Sequence, residues 1–136
     1  MDDLYRAEIL EHYRHPHNFG TLDEPDVVQE GSNPLCGDRL TLMLGIDERG
    51  TVDEVAFTGR GCAISQASAS MLTDRIRGLP LGEVAKIGRQ DVLDELGIEI
   101  SPARLKCALL SVDTLRRALE DRVAWQASTE SEEASA

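Results

Sequence analysis

The chain has 136 residues and a formal net charge of −11, and 41% of its residues are hydrophobic but only 4% aromatic. This composition predicts one domain with an aliphatic core, and the acidity argues against nucleic acid or anionic membranes as partners, because no basic stripe neutralises phosphates. No apolar run approaches the ~18 residues of a membrane-spanning helix and no signal-like segment begins the chain, so we expect a cytoplasmic protein.

The first half of the chain is predicted to form one helix and three strands. Pro16 ends the first helical pattern, and the later alternation of apolar with other residues is typical of half-buried strands. Turn-forming residues predict a hairpin between the last two strands. The expected elements are a helix over 4–14 and strands at 27–28, 39–46 and 52–58, with the hairpin at 47–50.

The second half is predicted to be helical. Gly78 caps the first of these helices, and Ser101-Pro102 begins the last one. The expected helices span 63–77, 83–87, 90–96 and 101–122. One helix, three short strands and then helices is the order of an α+β domain. We expect this domain over residues 1–125 and, because Ser, Ala and Glu dominate beyond it, a disordered acidic tail over 126–136.

Three cysteines, each beside a turn or a predicted helix start, are the most informative residues: Cys36, Cys62 and Cys107. Asp38 follows the first of them by two positions. Three thiolates and one carboxylate match the ligand count of a tetrahedral zinc ion, and soft thiolates also select iron–sulfur clusters. An odd cysteine count without a C-x-x-C pair argues against a disulfide framework, a small zinc finger and a thiol–disulfide oxidoreductase.

Cys107 is predicted to lie away from the core. Helical spacing places it opposite the apolar stripe of the last helix, so we expect it to be a poor core residue. Cys107 and Cys62 also lie at helix starts, where unpaired amide groups and the helix dipole stabilise a thiolate. The stripe consists of Leu105, Leu109, Val112, Leu115 and Leu119.

Several segments together give a specific resemblance that covers about residues 4–119. They are His12-Tyr13, Pro16, Asn18, Gly20, Asn33-Pro34-Leu35-Cys36-Gly37-Asp38, Gly59-Arg60-Gly61-Cys62-Ala63-Ile64-Ser65, Ala67-Ser68-Ala69-Ser70-Met71 and Pro102-Ala103-Arg104-Leu105-Lys106-Cys107-Ala108. With them the chain resembles the iron–sulfur cluster assembly scaffold family of IscU, SufU and the N-terminal domain of NifU. The resemblance implies a compact α+β domain with a three-stranded antiparallel sheet and about five helices. It also implies a site of Cys36, Asp38, Cys62 and Cys107 that holds zinc or a cluster.

The residues around the last cysteine resemble the SufU branch of this family. Lys106 stands where the IscU branch has His, and the segment that IscU presents to its Hsp70 chaperone is missing at 100–104. The sequence segment between Cys62 and Cys107 is short, which is, by contrast, typical of the IscU branch. We weigh the residues beside the ligands more heavily, because surface insertions cost little free energy.

By this resemblance the chain is a zinc-containing acceptor and relay of persulfide sulfur, rather than a conventional turnover enzyme. Cys36 would accept sulfur from a pyridoxal-phosphate-dependent cysteine desulfurase. Arg104 matches a position suited to contacting that desulfurase, and Lys106 and Arg60 are candidate cations beside an anionic site. Downstream iron–sulfur assembly or recipient proteins are the other expected partners, and the chain is expected to be a monomer or a weak homo-oligomer.

Two alternatives stay open. In the first, Cys36, Cys62 and Cys107 hold a [2Fe–2S] cluster that is built on the chain and transferred, with Asp38 as a labile oxygen ligand. In the second, the chain is a structural zinc-binding module that only contacts partners, so that zinc removal unfolds it and no thiol is reactive.

His12, His15 and His17 lie close together in the sequence. They could form a metal site, but Pro16 interrupts the helix between them. We therefore expect ordinary surface or packing histidines.

Overall fold

The structure is a computed structural model that describes the backbone of residues 7–34 and 37–135 and the side chains of residues 7–34 and 37–120. In chain order the elements are α1 Ala7–Arg14, β1 Val27–Asn33, β2 Asp38–Ile46, β3 Val52–Arg60, α2 Ala63–Ile76, α3 Leu81–Val84, α4 Arg89–Leu96 and α5 Pro102–Ser135. The expected α+β order, with one antiparallel sheet and five helices in the described residues, is confirmed.

The sheet has the order β1-β2-β3, and both pairings are antiparallel. Asn33, the last residue of β1, pairs with Asp38, the first residue of β2. Arg39 pairs with Arg60, the last residue of β3. The end of β1, the start of β2 and the end of β3 therefore meet at one end of the sheet, directly before the start of α2.

Two helices supply most of the packing against the sheet. The helix α2 packs against α1, α5 and β3, and α5 packs against β1 and β2 as well as α4. Every residue of α2 from Ile64 to Thr73 is buried, so this part of the helix is covered on all sides and not only along one stripe. Its many Ala and Ser residues allow neighbouring elements to approach closely, as the contact between Ser68 Oγ and Ser111 Oγ at 3.3 Å shows.

The last helix is longer than the sequence pattern predicted. Its backbone continues past Arg122 and reaches Ser135, so it includes residues for which we expected a disordered tail. The division into a domain over 1–125 and a separate tail over 126–136 stays a prediction. Across the described residues, no helix combines the length and the apolar character needed to cross a bilayer.

Candidate metal centre

Three of the four predicted ligands come together at the end of the sheet described above. Asp38 begins β2, Cys62 is the residue directly before α2, and Cys107 lies in the second turn of α5. One carboxylate oxygen and the two sulfur atoms all lie within 4.8 Å of one another. The strand register places Asp38 beside the end of β3, and the chain continues from there into Cys62.

Gly61 makes this close approach possible. A Cβ atom at this position would overlap both Asp38 Oδ1 and Ser65 Oγ. Any larger residue would therefore push the carboxylate away from the segment that carries Cys62. Ser65 in turn donates a hydrogen bond to the carbonyl oxygen of Cys62 at 3.1 Å, which closes the first turn of α2.

The carboxylate of Asp38 is buried and only partly satisfied. Its side chain is 2% exposed, and Oδ1 accepts a hydrogen bond from the backbone N–H of Cys62 at 3.3 Å. The other oxygen, Oδ2, has no hydrogen-bond donor within the described part of the chain. A buried carboxylate oxygen without a partner is costly unless a cation balances it. The orphaned oxygen next to two sulfur atoms thus fits a bound metal ion.

Cys107 is a core residue, and the expectation that it would be a poor one is wrong. It is 3% exposed, whereas Leu105, which we placed in the apolar stripe, is 38% exposed. The helical-wheel argument assumed one buried face, but α5 is covered by α2, α4 and two strands at once. The Nδ2 group of Asn33 lies 3.8 Å from Cys107 Sγ and donates to it. An N–H donor of this kind stabilises a thiolate.

The site opens into a cavity of about 360 Å³, lined by Asp38, Gly61, Cys62, Ala103, Arg104 and Cys107. Arg104 thus lies at the opening with an exposed side chain. Lys106 does not line this cavity; it is exposed and faces a neighbouring groove together with Asn33 and Pro34. Arg60 is exposed at the end of β3. Of the three candidate cations, only Arg104 lines the cavity that contains the two described cysteines, Cys62 and Cys107.

Cys36 lies outside the described residues, so its roles as ligand and as sulfur acceptor stay predictions. Chain connectivity alone keeps it within two residues of Asp38. The described residues on either side are close together, because Gly37 N–H donates a hydrogen bond to the carbonyl oxygen of Asn33 at 2.8 Å.

Sequence reasoning assigned no role to Asn33, although this residue belongs to the segment quoted for the resemblance. Its contact with Cys107 joins residues 74 positions apart, and no local pattern reveals such a contact. The only available signal was its position three residues before Cys36.

Comparison with known proteins decides the family. The model of the NifU-like N terminal domain matches residues 4–128. The chain belongs to this family.

Two solved structures share its fold: a putative iron–sulfur cluster assembly scaffold protein for the SUF system from Fervidobacterium islandicum, and a NifU-like N-terminal domain from Brucella abortus. The first is 30% identical with a TM-score of 0.72, over 87% of this chain and 98% of the other. The second is 27% identical with a TM-score of 0.70, over 88% and 94%.

Curated relatives come from both functional branches of the family. The zinc-dependent sulfurtransferase SufU of Bacillus subtilis is 37% identical, over 86% of this chain and 90% of its own length. The iron–sulfur cluster assembly enzyme IscU of Drosophila melanogaster is 36% identical, over 87% and 77%. The assembly scaffold protein IscU of Haemophilus influenzae is 32% identical, over 90% and 98%. The chain is thus an iron–sulfur cluster assembly protein of the IscU/SufU family, and identities this similar do not choose between the branches.

Proposed function

We propose that the chain accepts persulfide sulfur from a cysteine desulfurase and relays it to a downstream iron–sulfur assembly protein. In this proposal Asp38, Cys62 and Cys107 hold a zinc ion together with Cys36, the sulfur acceptor. The observation that carries the metal assignment is the buried, unpartnered Oδ2 of Asp38 beside two cysteine sulfur atoms. A dication there balances the one carboxylate oxygen for which the described residues supply no donor.

The donor set favours zinc as the resting metal. The residue before Cys107 is Lys106, which is exposed and directed to a neighbouring groove, so it adds no neutral nitrogen ligand. The set is then three thiolates and one carboxylate, which is a saturated tetrahedral zinc site. Bound zinc would keep its cysteine ligands in the thiolate form. The zinc-dependent sulfurtransferase among the relatives supports this choice.

Sulfur transfer then needs no external oxidant or reductant. The thiolate of Cys36 attacks the outer sulfur of the desulfurase persulfide, and a new S–S bond forms at Cys36. The S–S bond of the donor breaks, and the desulfurase cysteine leaves as a thiolate. The proton on the outer sulfur moves with that sulfur to Cys36, so atoms, electrons and charge balance.

Arg104 is proposed to guide this encounter. Four anionic ligands on a dication leave a formal charge of about −2. Arg104 lies at the opening of the cavity, where its guanidinium offsets this charge and can pair with the desulfurase thiolate that leaves.

The test measures persulfide directly. The full chain, loaded with one zinc, is incubated with a cysteine desulfurase and L-cysteine, and the persulfide on each cysteine is counted by mass spectrometry after alkylation. We expect sulfur on Cys36 in the wild type and none on any cysteine in Cys36→Ala. Cys62→Ala is the matched control, because it also removes a ligand but keeps the acceptor. Persulfide formation by Cys36→Ala at the wild-type rate would overturn the proposal.

A scaffold for a [2Fe–2S] cluster is the second candidate. The short segment between Cys62 and Cys107 and the similarity to the two IscU proteins favour it. Metal and acid-labile sulfide analysis of chain purified without oxygen separates the two. One zinc per chain without sulfide supports the relay, whereas iron and sulfide in equal amounts support the scaffold.

A further inference from the structure

A second group of metal-ligand side chains lies at the other end of α2. His12 is in α1, His17 is in the turn after α1, and Asp74 is in the last turn of α2. One ligand atom of each lies within 4.8 Å of the other two. Cys62 and Asp74 are 12 positions apart, which is roughly 18 Å along a helix, so this group is separate from the cysteines.

We propose that His12, His17 and Asp74 form a second metal site that takes a divalent first-row transition ion such as Zn²⁺. Two imidazoles and one carboxylate are typical ligands of zinc and ferrous ions in sites that keep open coordination positions. The proposal is independent of the sulfur relay, since it uses none of the cysteine-site residues.

The ring of His12 is already oriented by a neighbouring side chain. His12 is buried, and its Nδ1 lies 2.7 Å from Ser70 Oγ. Ligating histidines almost always hold the metal through one ring nitrogen and donate the other N–H to a protein acceptor. Ser70 Oγ is such an acceptor when Nδ1 carries the proton. The same oxygen accepts the backbone N–H of His17 at 2.8 Å, which ties the turn to α2.

The carboxylate of Asp74 is also held in place by a hydrogen bond, from the side chain of Asn18. Its Oδ1 accepts a hydrogen bond from Asn18 Nδ2 at 3.0 Å, and the same amide group donates to Thr73 Oγ1 at 3.0 Å. Asn18 is itself held in place: its φ is 60°, and its carbonyl oxygen accepts a hydrogen bond from the backbone N–H of Phe57 at 2.9 Å. The carboxylate therefore has one oxygen anchored to the fold and the other, Oδ2, directed towards His17.

The remaining pair needs only a small adjustment to admit an ion. His17 Nδ1 and Asp74 Oδ2 are 2.5 Å apart, whereas two ligands of one tetrahedral zinc ion stand about 3.3 Å apart. Both side chains are nearly half exposed, at 47% and 45%, so they can separate by this amount without disturbing the core. The same exposure gives an ion and its water ligands access to the site.

Pro16, which argued against a histidine site, is the residue that assembles it. It stops α1 directly after the last helical hydrogen bond, from His15 N–H to the carbonyl oxygen of Glu11 at 2.8 Å. The chain then reverses, and the ring of His17 lies 4.4 Å from the ring of His12, tilted by 46°. His15 is exposed and outside the group, as expected for a surface histidine.

The test is a zinc titration of the full chain whose cysteine site has first been filled with one zinc. Bound metal is measured after dialysis, and the ring C–H signals of the histidines are followed by NMR. We expect a second zinc per chain, with shifts at His12 and His17. His17→Gln and Asp74→Asn should each weaken this second binding at least ~10-fold, and His15→Gln, the matched control, should leave it unchanged.

Asn18→Gly tests the anchoring of the carboxylate. Glycine keeps the positive φ of this position but removes the amide that holds Asp74, so we expect zinc binding about 10–100-fold weaker. Absence of a second zinc in the wild type would overturn the proposal. Zinc binding by His17→Gln as tight as that of the wild type would also overturn it, because His17 would then not be a ligand. Equal losses of zinc affinity in His15→Gln and His17→Gln would do the same, because they would mean that any surface histidine takes up the metal.

Discussion

Replacing Asp38 with Asn tests whether the buried carboxylate is present in order to hold a metal ion. The substitution keeps the size and shape of the side chain but removes the negative charge. Asp38 is 2% exposed and its Oδ2 has no donor in the described structure. In the metal-free chain the carboxylate is therefore destabilising, whereas in the proposed zinc-loaded form it is a ligand. The substitution should have opposite effects on the stability of the two forms.

The size of the effect follows from the burial. Removing one partner of a buried charge pair costs roughly 3–5 kcal/mol, which applies to wild type when its zinc is removed. An Asn at this position leaves only an unsatisfied neutral group, at about 1–3 kcal/mol. Without metal, Asp38→Asn should thus be more stable than wild type by roughly 2 kcal/mol, a rise of several degrees in Tm for a chain of this length. With zinc the order should reverse, because an amide oxygen is the weaker ligand.

Urea and thermal unfolding of both proteins, with one equivalent of zinc or with excess chelator and always under reducing conditions, measure this crossing. Asp53→Asn is the control, because Asp53 is exposed on β3 and should shift neither form by more than about 0.5 kcal/mol. If Asp38→Asn destabilises the metal-free chain as much as the zinc-loaded one, the carboxylate stabilises the fold itself and is not there to hold a metal ion.

Three further substitutions probe the surroundings of the site. Gly61→Ala should lower zinc affinity and cost about 1–3 kcal/mol in unfolding free energy, because its Cβ overlaps Asp38 Oδ1; Gly82→Ala, where a Cβ meets nothing within 4 Å, should cost nothing, and equal effects would contradict this account. Asn33→Ala removes the N–H donor to Cys107 Sγ, and competition with a chelator should show roughly 10-fold weaker zinc binding. Arg104→Glu should slow persulfide transfer without loss of zinc by metal analysis, and unchanged transfer would exclude a role at the cavity opening.

The sequence predicted the elements well where local chemistry determines them. Pro16 and Gly78 mark the ends of α1 and α2, and the apolar alternation over 39–46 matches β2 within one residue. Asp38, Cys62 and Cys107 were expected at one site, together with Cys36, from the count of thiolates and carboxylate and from the family resemblance. Their proximity in the structure agrees with that grouping.

The missed features depend on packing between distant segments. The burial of Cys107 follows from four elements closing around α5, whereas a helical wheel assumes a single buried face. The pairing of His17 with Asp74 joins residues 57 positions apart and follows from the packing of α1 on α2. Neither the burial of Cys107 nor the pairing of His17 with Asp74 has a local sequence signal, so only the assembled fold reveals them.

The placement of the ligands bears on how a metal-bound cysteine could accept sulfur. Asp38, Cys62 and Cys107 each come from the beginning of a strand or helix that is packed into the core. Cys36 comes from the connection between β1 and β2. Three protein ligands suffice to retain zinc with one position open, so a departing Cys36 would leave the ion held by the three donors of the packed elements.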